Sequence, residues 1–519
     1  MQKNSFLFVV LSSITIFVWF FFLAPKDQHP VAQNNVQTQG VADGERTNNR
    51  STLNALKSTE NYIDQEEVNV ENESYKAVFT NKGAAVVSWS VKEKSGQWVN
   101  LVFPGAEPVM ANFPGSVYKI VSKTDNKIVF EHVFKESWKI TKTYNLGKNY
   151  MHNLNILVEK THGNVTVPQI DISWGPGLGT DLKEEKENVS LTRALAYTLD
   201  TPYKLKKLKT ESELASIYKW AAIDNRYFLA AFIPEKSKDF DKIVPSKLDK
   251  KHPFGLSLAA TCPKELNKKE YSVNFYLGPK EYAYLKTYNL DLEKTVDFGF
   301  FGFLGKIAFA VLTFFHGLTN NYGWAIIMIT VVIQILVYPL TLKSLKSTAA
   351  MKRVQPLIKE IQTKYKDNPQ RLQSEMINIY RTQKVNPLGG CLPMLLQLPI
   401  FWAFFTMLRN AYELRSASWI LWIKDLSAAD HFVMIGSFCV HLLPLIMGFG
   451  MFLQQKMTVA TADPTQKRIM YIMPILFTFM FWSFPSGLVI YWITNSLISM
   501  IEQYFMLKKE EARIKVSRS

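Results

Sequence analysis

The sequence predicts a membrane α-helical bundle of six transmembrane helices, joined to an all-β domain of sandwich type and to a helical hairpin outside the bilayer. Three observations carry this prediction. Apolar runs long enough to cross a bilayer recur through the second half of the 519-residue chain and occur once at its start. Residues 67–290 instead show short stretches of period-two alternation separated by turn residues. Segments 342–384 and 508–519 carry a clear excess of cations, as loops on the cytoplasmic side of a membrane do.

Composition agrees once it is divided along the chain. The 47% hydrophobic content and net charge of +16 average a polar first half with an apolar second half, so at least two units are expected. Cys262, Cys391 and Cys439 are scattered, with neither a disulfide framework nor metal-ligand spacing. No metal and no cofactor are expected.

Residues 1–25 hold Lys3 and then an almost unbroken apolar run from Phe6 to Leu23, the pattern of a signal-anchor helix. Pro25 directly after Ala24 disfavours cleavage there, which leaves a cleaved signal peptide as the alternative. Residues 26–66 are rich in Gln, Asn, Thr and Ser and form a flexible linker. In the β domain, runs such as Tyr75–Phe79, Lys127–Phe130 and Tyr271–Tyr276 read as strands. Trp174-Gly175-Pro176-Gly177-Leu178-Gly179 reads as a tight turn, because no lysine or helix start completes a phosphate loop. Asp171, Asp200, Asp224 and His152 could supply a glycosidase-like pair only if folding placed two carboxyl groups a few ångströms apart. The domain is read as non-catalytic, and the chain as no enzyme.

The second half begins with a phenylalanine-rich segment, 298–318, which lies in the membrane interface if the β domain is exported and spans the membrane in the inverse topology. Spans follow at about 322–341, 391–408, 436–454, 470–484 and 488–507, and the basic tail 508–519 ends the chain. Between the first two of these spans, residues 342–384 form a hairpin. Val354, Leu357, Ile358 and Ile361 make one apolar stripe, Asn368 is an N-cap, and Leu372, Met376, Ile379 and Tyr380 make the second stripe. Its outer face carries Lys359, Lys364, Lys366 and Arg371. Such a face is either a solvated connector or a contact for anionic lipid headgroups, ribosomal RNA or an acidic protein. DNA is not an expected partner.

Polar residues recur inside the spans. Thr330, Gln334 and Thr341 share one helix face; Trp492, Asn495, Ser496, Ser499 and Gln503 share another; Gln397 stands alone, and Thr478 and Trp482 are four apart. In hydrocarbon these groups must meet one another or water. They are interhelical hydrogen bonds or the lining of a polar concavity. Spans without an ionisable residue at the centre argue against a proton relay or an ion-coupled transporter.

Asn386-Pro387-Leu388-Gly389-Gly390-Cys391-Leu392-Pro393, continued by Gln397-Leu398-Pro399-Ile400-Phe401, is preceded by Tyr338-Pro339-Leu340-Thr341 and followed by Phe484-Pro485-Ser486-Gly487 and Tyr491-Trp492. This set resembles the YidC membrane protein insertase family, related to the Oxa and Alb insertases, over about 297–507. The first half resembles the Gram-negative members, which carry a periplasmic β-supersandwich. The resemblance implies an insertase core at 297–519 with five transmembrane helices and an interfacial helix, and both termini on the cytoplasmic side of the inner membrane. It further implies a hydrophilic groove, with Thr330, Gln334, Gln397, Thr478, Trp492, Asn495 and Ser496 as its polar and aromatic lining. The partners so implied are nascent membrane proteins, the Sec translocon, the ribosome with its targeting machinery, and membrane lipids. One departure stands out: Gln334 occupies the position where the family usually has an arginine. A small-solute channel or transporter is the alternative function.

Overall fold

The computed structural model describes residues 65–518 apart from 114, 163–168, 181–184, 200–203, 210–216, 241, 247–253, 261–266, 387–391, 437 and 459–463. The expected anchor (1–25), nearly all of the expected linker (26–66), the Pro387–Gly390 turn, Asp200, Cys262 and Cys391 lie outside the described residues.

Alternation in the sequence becomes alternation in burial. Along Met151–Lys160, His152, Leu154, Ile156 and Val158 point into the core while their neighbours face outward. This strand lies inside a nine-stranded antiparallel sheet, ordered Lys204–Lys207, Arg193–Thr198, Tyr218–Asp224, Phe228–Pro234, Lys268–Pro279, Met151–Lys160, Trp138–Asn145, Lys127–Phe134 and Lys119–Thr124. A four-stranded sheet (Glu67–Glu71, Tyr75–Thr80, Ala85–Lys92, Trp98–Asn100) and a three-stranded sheet (Lys242–Ser246, Gly255–Ala260, Ile170–Trp174) share one hydrophobic core with it. Trp89 sits in that core, stacked on Tyr75 at 4.9 Å and edge-on to Phe275. Gly175 and Gly177 turn the chain after Ile170–Trp174. The Trp174 indole N–H donates to the Gly177 carbonyl at 3.1 Å, and a side chain at Gly175 would overlap Gly255.

Of the carboxylates and histidine that a glycosidase reading would need, those among the described residues are separately engaged. His152 is packed among Tyr75, Trp89 and Phe275. Asp171 takes the Gln169 amide at 2.7 Å, and Asp224 is committed to ion pairs described below.

The helices, in order, are α1 (Glu185–Leu191), α2 (Tyr282–Thr287), α3 (Gly302–Thr319), α4 (Tyr322–Lys364), α5 (Pro369–Thr382), α6 (Leu392–Asn410), α7 (Leu442–Thr458), α8 (Pro464–Met480) and α9 (Ser486–Arg518). Among the described residues, α3 and α4 are long and apolar enough to cross a membrane, and Met470–Ser483 is a shorter apolar stretch. Asn321 caps α4 by accepting from the Gly323 and Trp324 amides. The helix then runs unbroken through Pro339 and Pro356, so the 322–341 segment and the first arm of the expected hairpin are one helix. Val354 and Ile358 on that arm pack with Val385, against Met376, Ile379 and Tyr380 from the second. Asn368 caps α5 as its position suggests, its carbonyl accepting from the Arg371 amide at 3.1 Å. Likewise α9 carries the 488–507 segment and the basic tail as one helix.

One boundary differs from the sequence reading. The apolar run expected to span from 436 begins instead as a β-hairpin, Val433–Ile435 paired with Phe438–Val440, and the helix starts at Leu442. Apolar content alone does not separate a strand from a helix. Gly436 supplies the turn at φ 63°, and the Asp430 carboxylate fixes the helix start by accepting from the Leu442 and Leu443 amides.

Candidate functional site

Three helices are positioned at their ends so that their amides meet. The α9 start is held where the Ser486 hydroxyl donates to the Asp425 and Ala428 carbonyls, at 2.6 and 2.8 Å. Gly323 in the first turn of α4 lies so close to the Trp419 ring that a side chain there would overlap it. α6 meets α9 through Phe404 stacked on Tyr491 at 4.8 Å and Phe401 edge-on to Trp492 at 5.4 Å.

This places Gln334 of α4, Gln397 of α6 and Asn495 of α9 in one cluster. The Gln334 amide donates to the Asn495 side-chain oxygen. Gln397 donates to the same oxygen at 3.4 Å and to the Tyr491 hydroxyl at 2.5 Å. Gln334 is only 6% exposed, and Ser496, beside Asn495, is also buried. The hydroxyls of Thr330 and Thr341 turn back to the Ile326 and Val337 carbonyls of their own helix, at 2.6 and 3.4 Å. Thr330 is fully buried. The cluster is polar but neutral, and its amides offer both donors and acceptors.

Two residues expected with it stand elsewhere. Trp492 belongs to an aromatic wall with Phe401, Phe477 and Phe481. Thr478 donates to the Pro474 carbonyl at 2.8 Å and packs against Gly448, where α7 and α8 touch. Tyr491 stands in the sequence motif but not among the expected polar lining, although it lies one turn before Asn495 on the same face. Sequence reasoning passed over Glu502, seven residues beyond Asn495 on α9, which has a carboxylate oxygen enclosed without a hydrogen-bond partner. On the hairpin, Lys359, Lys364, Lys366 and Arg371 are all exposed, and Lys364 and Arg371 both lie over the Tyr365 ring.

A second polar assembly joins the strands to the helix ends. Arg193 grips Asp224 at 3.0 and 2.5 Å and reaches Asp297 at 2.9 Å. Lys280 also meets Asp224, at 2.7 Å. Burial pulls the Lys280 ammonium below its ordinary range, and Asp224 opposes that pull. Arg415, just past α6, pairs with Glu93 at 2.7 Å, with both side chains enclosed. Arg226 donates to the Arg409 carbonyl, and Asn410 to that of Asp297, each at 2.8 Å. Glu413 accepts from the Tyr282 amide at 2.8 Å, and burial pushes its carboxyl up to about 7. Among the described residues, no group of three or more His, Cys, Asp or Glu side chains is placed to hold a metal ion.

Comparison with known proteins gives a consistent answer. A family model described as 60Kd inner membrane protein matches residues 314–513, and one for the YidC periplasmic domain matches 99–311. The membrane protein insertase YidC of Endomicrobium trichonymphae is 67% identical over 99% of this chain and 100% of its own. That of Syntrophus aciditrophicus is 32% identical over 98% of this chain and 100% of its own. A crystal structure of an active YidC insertase with its first transmembrane domain resolved covers 97% of this chain and 100% of its own, at 19% identity and a TM-score of 0.39. The full-length sequence relatives therefore decide the matter, and the chain belongs to the YidC membrane protein insertase family.

Proposed function

We propose that this chain inserts membrane proteins, and assists their folding, by giving the polar segment of an incoming chain a hydrogen-bonding site at the Gln334–Asn495–Gln397 cluster. Membership of the family makes it an insertase of an inner membrane with a periplasmic domain, and not an enzyme. The small-solute channel alternative has no support among its relatives. The observation that carries the mechanism is the single Asn495 oxygen shared by two glutamine amides from two other helices. A polar segment crossing hydrocarbon unpaired costs several kcal/mol per group, roughly. Neutral amides exchange partners with a passing backbone or with water without separating charge, so no nucleotide is needed. Apolar residues of the incoming chain would meet the outward faces of α4 and α9, where Ile335, Leu336, Leu497 and Ile501 are exposed.

The topology that fits has six spans: the 1–25 anchor and the apolar parts of α4, α6, α7, α8 and α9, with α3 in the interface. Both termini and the α4–α5 hairpin face the cytoplasm of a Gram-negative cell, because their cations outnumber their anions, while the strands are periplasmic. The partners proposed are nascent membrane proteins at the cluster, the Sec translocon beside the bundle, and the ribosome with its targeting machinery and anionic lipids at the hairpin. Photo-crosslinkers at Gln334 and Gln397 are expected to capture a stalled nascent chain, whereas one at Thr478 captures it weakly. Equal capture from all three positions would remove the cluster from the mechanism.

A further inference from the structure

The stretch between Asp430 and Leu442 reads HFVMIGSFCVH, without a lysine, arginine or carboxylate. It forms a hairpin whose strands pair Val433 with Val440, Met434 with Cys439 and Ile435 with Phe438. Its base is fixed. Asp430 accepts from the Trp422 indole at 3.0 Å and from the first amides of α7, Phe432 lies edge-on to Trp422, and His441 lies edge-on to Trp482. Its tip is open: Val433, Met434 and Ile435 are 44%, 59% and 66% exposed. Successive strand residues point to opposite faces, so both faces of the first strand are apolar and uncovered.

We propose that this hairpin is a shallow membrane anchor, its tip seated at the boundary between headgroups and acyl chains in the leaflet where α7 begins. The proposal rests on the membrane-spanning reading of α7 given above. Two exposed apolar faces select lipid over protein as the occupant: a partner protein or second copy docks on one face and leaves the other in water, whereas a lipid surround covers both. The surface is also continuous with the outward apolar face of the helices read above as spans. Only His441 separates the second strand from α7, whose Leu445, Ile446 and Phe449 face outward, as do Ile472, Ile475 and Phe479 of α8. Depth is limited by the backbone. A two-stranded hairpin keeps unpaired N–H and C=O groups on both edges, which hydrocarbon cannot satisfy and the interface can. The tryptophans and histidines at its base have the amphipathic character that interfaces favour.

The test uses full-length protein in phosphatidylethanolamine–phosphatidylglycerol vesicles, in a Cys262→Ser, Cys391→Ala, Cys439→Ala background. Nitroxide labels are placed singly at Met434→Cys and Ile435→Cys, at Phe449→Cys as a lipid reference and at Lys127→Cys as a water reference. Collision with oxygen is compared with collision with a water-soluble nickel chelate. Both hairpin labels are expected to favour oxygen, as Phe449→Cys does, at a shallower depth. Hairpin labels that behave like Lys127→Cys overturn the anchor while the span reading stands. One label shielded from both reagents and its neighbour open to nickel identify a protein partner and also overturn it. If Phe449→Cys itself favours nickel, the span reading fails and the anchor falls with it.

Discussion

Asp224 and Asn495 each gather two donors onto one side chain, yet they do so in opposite chemical terms. Asp224 receives Arg193 and Lys280, charge against charge, where the strands meet the helix ends. Asn495 receives Gln334 and Gln397, amide against amide, between helices. A buried charge stripped of its partner is costly enough that the joint stays closed; a neutral amide stripped of its partner accepts water or a peptide at little cost. On the proposed function, the joint persists and the cluster exchanges.

The sharpest test of that contrast is Lys280→Met. It leaves Asp224, which has no exposed surface, with one cation instead of two. A destabilisation of about 3 kcal/mol is expected, read as a lower urea midpoint for the detergent-solubilised chain followed by tryptophan fluorescence. A change below about 1 kcal/mol would make the joint no stronger than the cluster and erase the comparison.

Glu413 offers the next largest effect, because it is the joint's misfit. It accepts the Tyr282 amide through one oxygen, while the other is enclosed without a partner. Its folded carboxyl lies at about 7 against an ordinary 4.5, so between these values the native state holds a proton that the unfolded chain has released. This contribution is therefore favourable below about pH 4.5, declines as pH rises to about 7, and stays lost above that. Glu413→Gln keeps the acceptor and removes the ionisation. It is expected to stabilise the protein at pH 8 by up to about 3 kcal/mol and to leave stability at pH 4 unchanged, flattening the pH profile of the denaturation midpoint.

At the cluster, Gln334→Leu removes one neutral donor and part of the water-attracting surface. The expected cost is about 1 kcal/mol, which is roughly a fivefold loss of insertion rate. Gln334→Arg should be tolerated and should favour substrates with acidic tails, because a guanidinium carries a fixed charge. The measurement is insertion of single-span substrates differing only in tail charge, at matched protein levels. Equal insertion by wild type and Gln334→Leu across the set would detach the amide from function.

What the sequence shows of this architecture follows from the range of the interactions. Period-two strands, the Asn368 cap and the polar faces of α4 and α9 are local patterns, so they are legible without coordinates. Gln397 could be singled out as a lone amide in an apolar run, but its partner Tyr491 lies 94 residues away, and no local pattern pairs the two. The hairpin at 433–440 was hidden because an apolar run has the same composition as strand or helix until Asp430 fixes where the helix begins. Thr478 is expected in the groove lining with the other polar residues of the spans. In the structure it packs against Gly448, where α7 and α8 touch, a contact that depends on a residue thirty positions earlier. The ion-pair joint depends wholly on distant residues, among them Glu93 and Arg415, and no local pattern marks it.

The smallest effect on stability belongs to the α4–α5 hairpin, which holds its charge in a different way from the Asp224 joint. Lys359, Lys364, Lys366 and Arg371 are exposed and have no ion-pair partner among the described residues. Lys364 and Arg371 instead lie 5.6 and 5.2 Å from the Tyr365 ring, which holds two cations near one another at the helix turn. Replacing all four with glutamine leaves Val354, Ile358 and Val385 packed, so the denaturation midpoint should barely move, within about 0.5 kcal/mol. Binding to an anionic surface should respond differently, since each lost phosphate contact removes a released counterion. Affinity for ribosomes is expected to fall at low salt, and its dependence on salt concentration should become shallower. Unchanged affinity and an unchanged salt slope would leave these cations with topology as their only role, because a cation that positions a loop during insertion need not touch a partner afterwards.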